Sequence, residues 1–289
     1  MLDALKIYRK FTSKVNDFSP EQLQNLICIV NLYRGKNEKF RSTVKEYTET
    51  AVECASALSG VTYLLREKLQ EIIKTISVVG NGICQPLIEQ INETMLDFED
   101  LFDKQKLLEE KAIKCSMKGE LLEDIAHLCK NIRKPQDKLF KQLLDVISAA
   151  TKEYQLNKNK DWKELNLKEQ LDQLKALQQK LSGNPDEEEP GLLHETEYFY
   201  KQAYWLTSRF PEGVYTDVEG LCKVVSQKDI ESKDWSLSPG RYVGVDTSTD
   251  EDFDYEERLN EIHIELEGLN EEAISLAKTI SENYKELSI

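Results

Sequence analysis

A mainly α-helical protein is predicted: long antiparallel helices in a hairpin or bundle, then a small irregular segment of short strands, then a long C-terminal coiled-coil helix. Three observations predict it. Residues 40–182 carry apolar side chains at helical spacing with few interruptions. From Leu259 onward a second apolar series keeps a strict three–four alternation. Nowhere does strand–loop–helix alternation recur in the way a doubly wound sheet requires.

Taken in order, residues 1–40 hold one clear helix start, Asp17-Phe18-Ser19-Pro20-Glu21-Gln22-Leu23. Ser19 suits the N-cap, Pro20 the first helical position, and Gln22 can close a capping box. Phe18 and Leu23 are spaced for a hydrophobic staple, and Gly35 ends the helix.

Residues 41–182 form the helical hairpin or bundle region. Val44, Tyr47, Ala51, Ala55, Leu58, Leu65, Leu69, Ile72 and Ile76 trace one face. Gly80-Asn81-Gly82 breaks it and Pro86 restarts it. That Gly-Asn-Gly lacks the Lys-Ser/Thr of a phosphate loop and the third glycine of a dinucleotide fingerprint, so it reads as a turn. Leu87, Ile91, Met95, Phe98, Phe102 and Leu108 continue on a second helix, and Gly119 and Pro135 mark further turns. Leu139, Leu143, Val146 and Ile147 follow, then Leu165, Leu171, Leu174, Leu177 and Leu181.

A polar linker occupies 183–191. Its Asn184-Pro185-Asp186 lacks the second proline and the aromatic that an amino-methylating enzyme would stack on a flipped base. Residues 192–245 open with an aromatic helix (Tyr198, Phe199, Tyr200, Tyr204, Trp205, Phe210), read as core or interface. Ser226 caps a short helix containing Asp229 and Ile230. Arg241-Tyr242-Val243 is expected to emerge extended after Pro239-Gly240. A buried Trp235 beside Arg241 and Tyr242 then forms a rigid docking segment.

Residues 246–289 are an acidic linker and the C-terminal helix. Its seam reads Leu259, Ile262, Leu266, Leu269, Ala273, Leu276, Ile280, Asn283 and Leu287. Such a helix spans roughly 45 Å at about 1.5 Å per residue. With little apolar surface off the stripe it needs a partner helix. That partner is either another helix of this chain or another protein. The terminal position and the acidic flanks favour the second.

Charge and cysteines bound the function. The formal net charge is −15. An acidic surface repels phosphates, so independent nucleic-acid binding is not indicated. Six cysteines (28, 54, 84, 115, 129, 222) include no Cys-x-x-Cys pair, and the three histidines are scattered, so no zinc site is expected. The thiols read as reduced residues of a cytoplasmic protein without a signal peptide. No apolar run approaches membrane-spanning length.

Two blocks near the end carry a resemblance: Asp217-Val218-Glu219-Gly220-Leu221-Cys222-Lys223-Val224 and Trp235-Ser236-Leu237-Ser238-Pro239-Gly240-Arg241-Tyr242-Val243-Gly244-Val245. They resemble the C-terminal signature of modification subunits of type I restriction–modification systems, which are adenine-N6 DNA methyltransferase subunits. The likeness extends to the acidic 250–254 run, Asn270-Glu271-Glu272-Ala273 and Glu282-Asn283-Tyr284. At the other end, Leu2-Asp3-Ala4, Ile7-Tyr8-Arg9, Asp17-Phe18-Ser19-Pro20-Glu21-Gln22 and Leu32-Tyr33-Arg34-Gly35 resemble the segment just beyond that family's catalytic domain. Leu5 departs from the Arg common there. The matching blocks cover about a third of the chain.

The resemblance implies a role in assembly. In the family, the C-terminal helical region packs on the coiled-coil spacer of the specificity subunit. Leu259, Ile262, Leu266, Leu269, Ala273, Leu276, Ile280 and Leu287 are the partner-binding candidates here, with Trp235, Arg241 and Tyr242 as a docking segment. The family's S-adenosylmethionine loop and its Asn-Pro-Pro-Phe/Tyr motif do not occur in this sequence. No catalytic, cofactor-binding or metal-binding residue is therefore assigned. S-adenosylmethionine is expected only for a complete subunit, and DNA contact only through the complex. The chain is expected to be a non-catalytic C-terminal part of such a subunit that begins after the catalytic domain. An alternative is half of a split methyltransferase, active only with a chain that carries the missing motifs. Beside the specificity subunit, the resemblance implies a catalytic methyltransferase chain and the restriction subunit as further partners.

Overall fold

The computed structural model describes residues 1–4, 9–10, 16–80, 84–115, 119–184 and 189–245, with single positions from 259 to 280. The described chain is mostly helical. In order the helices are α1 (Pro20–Tyr33), α2 (Glu38–Gly80), α3 (Gln85–Lys114), α4 (Gly119–Glu153), α5 (Lys160–Glu164), α6 (Leu167–Ser182), α7 (Leu192–Arg209), α8 (Gln227–Glu231) and α9 (Gly240–Val243). Among the described residues, extended pairing is limited to two-residue contacts, Arg9–Lys10 with Asn16–Asp17 and Gly183–Asn184 with Glu189–Pro190, and to bridges at Cys222. Two compact units result: Glu38–Gly213, and Met1–Asn37 together with Val214–Ile289.

The unit 38–213 is a helical bundle. All nine residues named for the first apolar face of α2 are buried. Leu87, Ile91, Phe98, Phe102 and Leu108 are buried on α3. Arg66 and Glu99 lie at similar sequence distances from the α2–α3 connection, and they meet in a two-pronged ion pair, Nη2–Oε2 2.5 Å and Nε–Oε1 3.2 Å. The two helices therefore run antiparallel. Helix α3 also packs on α4, and α7 packs on both α2 and α4.

The aromatic helix is thus part of this bundle's core. Leu193, Tyr200, Ala203, Leu206 and Phe210 are buried. Phe199 meets Tyr47 of α2 at 6.1 Å between ring centres. The 183–191 stretch joins α6 to α7 inside one unit, where Gly191 approaches the Gly183 backbone so closely that a Cβ would come within 2.2 Å of Gly183 N. Of the expected Gly80-Asn81-Gly82 turn, Gly80 ends α2 and residues 81 and 82 lie outside the described residues, as do 185–188 of the linker.

Pro135 does not mark a turn, as the spacing suggested; it sits inside α4, on its exposed side. An interior proline forfeits one backbone hydrogen bond and costs about 3 kcal/mol. Ile132, Gln136 and Phe140, buried around it, continue the helix across the break.

Two buried polar groupings cross the bundle. Gln105 on α3 donates its amide to the oxygen of Gln136 on α4. Gln136 donates to Gln178 on α6 at 3.0 Å, and Gln178 donates to Asp137 at 2.8 Å and to Ser182 at 3.0 Å. Separately, Glu197 on α7 is buried between Lys201, at 2.9 Å, and Arg133 of α4, at 3.6 Å. A carboxylate taken out of water needs such partners to remain charged.

Candidate functional site

The sequence places its candidate residues in the unit formed by 1–37 and 214–289. Helix α1 begins there as expected. Ser19 Oγ accepts from Gln22 N at 3.2 Å and Gln22 Oε1 accepts from Ser19 N at 2.8 Å, closing the capping box. It ends at Gly35, whose φ of +72° suits glycine, with Gly35 N donating to Leu32 O and Lys36 N to Asn31 O, each at 2.9 Å.

Around the 217–224 block, Val218 and Cys222 exchange backbone hydrogen bonds of 2.8 and 2.9 Å across a turn containing Gly220, at φ +74°. Asp3 N donates to Leu221 O at 2.8 Å, Lys223 N to Met1 O at 3.0 Å, and Gly220 N to Val243 O at 2.8 Å. The block that resembles the family signature therefore knits residues 1–3 to the 235–245 block. Asp217 Oδ1 accepts from Val224 N at 2.9 Å, fixing the exit of the turn. A cavity of about 230 Å³ lies beside it, lined in part by Ile29, Tyr33, Tyr215 and Val224. Tyr33 and Tyr215 meet edge to face at 5.7 Å. Burial pushes the Tyr215 phenol upward, helped by its hydrogen bond with Cys222.

Helix α8 starts as expected from Ser226, here with a full capping box: Asp229 Oδ2 accepts from Ser226 N at 2.8 Å, and Asp229 N donates to Ser226 Oγ at 3.3 Å. Ser226 Oγ also donates to Asp229 Oδ2 at 2.6 Å, and this bond, with that from Ser226 N, holds the Asp229 carboxyl below the usual range. After α8, Trp235 N donates to Ile230 O at 3.0 Å and Asp234 N to Glu231 O at 3.2 Å. This pair of bonds ordinarily has glycine at its left-handed position. Here Asp234 and Trp235 both stand at φ +56°.

The docking segment differs from the expectation in two ways. Trp235 is 59% exposed, whereas Tyr242 is the buried aromatic. The two left-handed residues turn the chain at Trp235 while α9 carries Tyr242 inward, where its hydroxyl donates to Ser236 O at 2.5 Å. Lys233 Nζ lies 4.6 Å above the Tyr242 ring and also donates to Arg241 O, and Arg241 Nη1 donates to Lys233 O at 3.4 Å. The second difference is that Arg241-Tyr242-Val243 is a helical turn, not an extended run. Pro239, at φ −57°, is preset for helix, its carbonyl accepts from Tyr242 N and Val243 N, and Gly244 at φ +82° stops the turn. Trp235, Leu237, Arg241 and Val245 remain exposed around this clasp.

Six of the eight seam candidates are described: Leu259, Ile262, Leu266, Ala273, Leu276 and Ile280. Each is helical and exposed, the five larger ones between 40 and 63%. Leu269 and Leu287, with Asn283 and the 250–254 run, lie outside the described residues.

Among the described residues no group of three His, Cys, Asp or Glu is placed to hold a metal, and no helix is long and apolar enough to cross a membrane. All six cysteines are free thiols. Burial, reinforced by Glu195 at 3.8 Å, pushes the Cys54 thiol up to about 11. A groove of about 410 Å³ between α2 and α6 is lined by Leu64, Ala176 and Leu177 together with the charged Glu67, Lys68, Glu71 and Lys180. Reading the sequence missed the glutamine relay and the Glu197 charge cluster. The available signal was a glutamine at each of three positions in phase with leucine and phenylalanine neighbours.

Comparison with protein-family models, with curated proteins and with solved structures returns no match.

Proposed function

We propose that this chain is the C-terminal, assembly-directed part of a type I modification (adenine-N6 DNA methyltransferase) subunit. It binds the specificity subunit through the helix spanning residues 255–287. The observation that carries the reading is the exposure of Leu259, Ile262, Leu266, Leu276 and Ile280, apolar residues on one heptad stripe. Covering each contributes about 1.5–3 kcal/mol before ordering costs, so leaving these five in water is expensive. The resemblance of 217–224 and 235–245 to the family signature supports the same reading. So does the way those two blocks clasp each other through Gly220 and Val243. The pair Trp235 and Arg241, exposed beside the clasp, supplies residue types enriched at interaction hot spots.

The test is co-purification of the full chain with the specificity subunit of a type I system. Capture is expected, and the Leu266→Asp/Leu276→Asp variant is expected to lose it with an unchanged circular dichroism spectrum. Undiminished capture by that variant overturns the reading.

A further inference from the structure

We propose that the C-terminal stripe is built to pair with a helix bearing lysine or arginine beside its own apolar seam, and not with a second copy of itself. The inference rests on the assembly reading above and specifies the chemistry of the partner.

The stripe has two unlike borders. In the sequence, the residue before each first-type seam position (259, 266, 273, 280, 287) is Arg258, Glu265, Glu272, Thr279 and Glu286. The residue after each second-type position (262, 269, 276, 283) is His263, Asn270, Ala277 and Tyr284. One border is therefore chiefly acidic and the other carries no carboxylate. Border residues decide partner and orientation in a two-helix coil, because they face each other across the apolar contact.

Self-pairing wastes this arrangement. In a parallel pair, Glu265 would face Asn270, Glu272 would face Ala277, and Arg258 would face His263 of the second copy, with no pair of opposite formal charge. In a fully overlapped antiparallel pair this border would face itself, setting Glu272 against Glu272 and Glu265 against Thr279, with Arg258 against Glu286 as the one kind of opposite-charge pairing. From Asp250 onward there are 13 acidic residues against Arg258, Lys278 and Lys285, so two copies also repel over their whole length. A helix with Lys or Arg at the facing border meets the glutamates in either orientation and is steered toward them. The described seam residues are exposed, as are Asn270 and Ala277 on the uncharged border, so the stripe is open to such a helix.

Two synthetic four-heptad peptides test this. Both have the same Ile/Leu seam, one with Lys and one with Glu at every border position, and binding to the full chain is followed by fluorescence anisotropy. The Lys peptide is expected to bind at least about tenfold more tightly at low salt, with the advantage shrinking near ~0.5 M NaCl. The Glu265→Lys/Glu272→Lys/Glu286→Lys variant is expected to invert the order, and the corresponding Glu→Gln variant to abolish the preference. Equal affinities, an order unchanged by reversal, or dimerisation of the full chain through the stripe in sedimentation overturns the inference. Specificity-subunit capture that ignores the charge reversal sinks this inference and leaves the assembly reading standing. Lys-peptide binding without capture does the reverse.

Discussion

Gln136 on α4 donates its side-chain amide to the oxygen of Gln178 on α6 at 3.0 Å, with both residues buried in an otherwise apolar layer. The direction of this bond is set from one end. Asp137 offers only acceptors to Gln178, so the Gln178 nitrogen faces Asp137 and its oxygen faces Gln136. The Gln136 oxygen must then accept from Gln105, whose own oxygen is buried with no hydrogen-bond partner among the described residues. The relay thus ties α3, α4 and α6 together at one level, and sliding any of them by a turn would orphan several amide groups at once.

From this follows an unequal response to substitution. Gln136→Leu leaves the Gln105 nitrogen and the Gln178 oxygen without partners, and is expected to destabilise the bundle by about 2–4 kcal/mol. The triple variant Gln105→Leu/Gln136→Leu/Gln178→Leu removes all three amides and is expected to be far closer to wild type, or above it. Urea unfolding followed by far-UV circular dichroism measures both. A single variant as stable as wild type would mean the relay is not formed.

Asp234 occupies a backbone position that suits glycine, at φ +56° after α8. The left-handed region costs a residue with a Cβ about 1 kcal/mol, somewhat less for aspartate, and glycine nothing. Asp234→Gly should therefore raise stability by about 0.5 kcal/mol, and Asp234→Ala should lower it by a similar amount. This order, Gly above Asp above Ala, is the opposite of what an ordinary helical site produces. Denaturant midpoints of the three proteins would decide it.

The long helices were legible because burial and spacing coincide. Every residue named for the apolar face of α2, from Val44 to Ile76, is buried. The caps at Ser19 and Ser226 were legible because each is a local pattern of hydroxyl and acceptor three residues apart. What composition alone concealed was set by tertiary contact. Pro135 signals a break locally, yet buried neighbours on both sides carry α4 through it. The Gln105–Gln136–Gln178 relay was not legible, because its members lie on different helices, 31 and 42 residues apart in sequence. Trp235 reads as core by residue type, whereas two consecutive left-handed residues leave it in water and hand the interior position to Tyr242.

Cys54 provides a chemical probe of the α2–α7 contact. Its thiol stands 3.8 Å from Glu195 Oε2 and is pushed up to about 11, first by burial and then by the neighbouring carboxylate. The ordinary thiol value of 9.0 is restored on unfolding. At pH 9 an unfolded Cys54 is therefore half thiolate, while the folded one is about 1% thiolate. The higher intrinsic nucleophilicity of a high-pKa thiolate recovers part of that loss. Alkylation of Cys54 by iodoacetamide in the folded chain should be about tenfold slower, or more, than in urea at pH 9, and should keep accelerating up to pH 11. The sign for stability follows. The raised value favours the protonated, folded form, so the contribution is intact below pH 9 and declines as pH rises from 9 through 11. A Glu195→Gln variant removes the carboxylate but not the burial, so Cys54 should react faster while remaining slower than in urea. Mass spectrometry of the Cys54 peptide across this pH range reads all three rates, and equal rates in folded and unfolded chains would show that α7 does not cover the thiol.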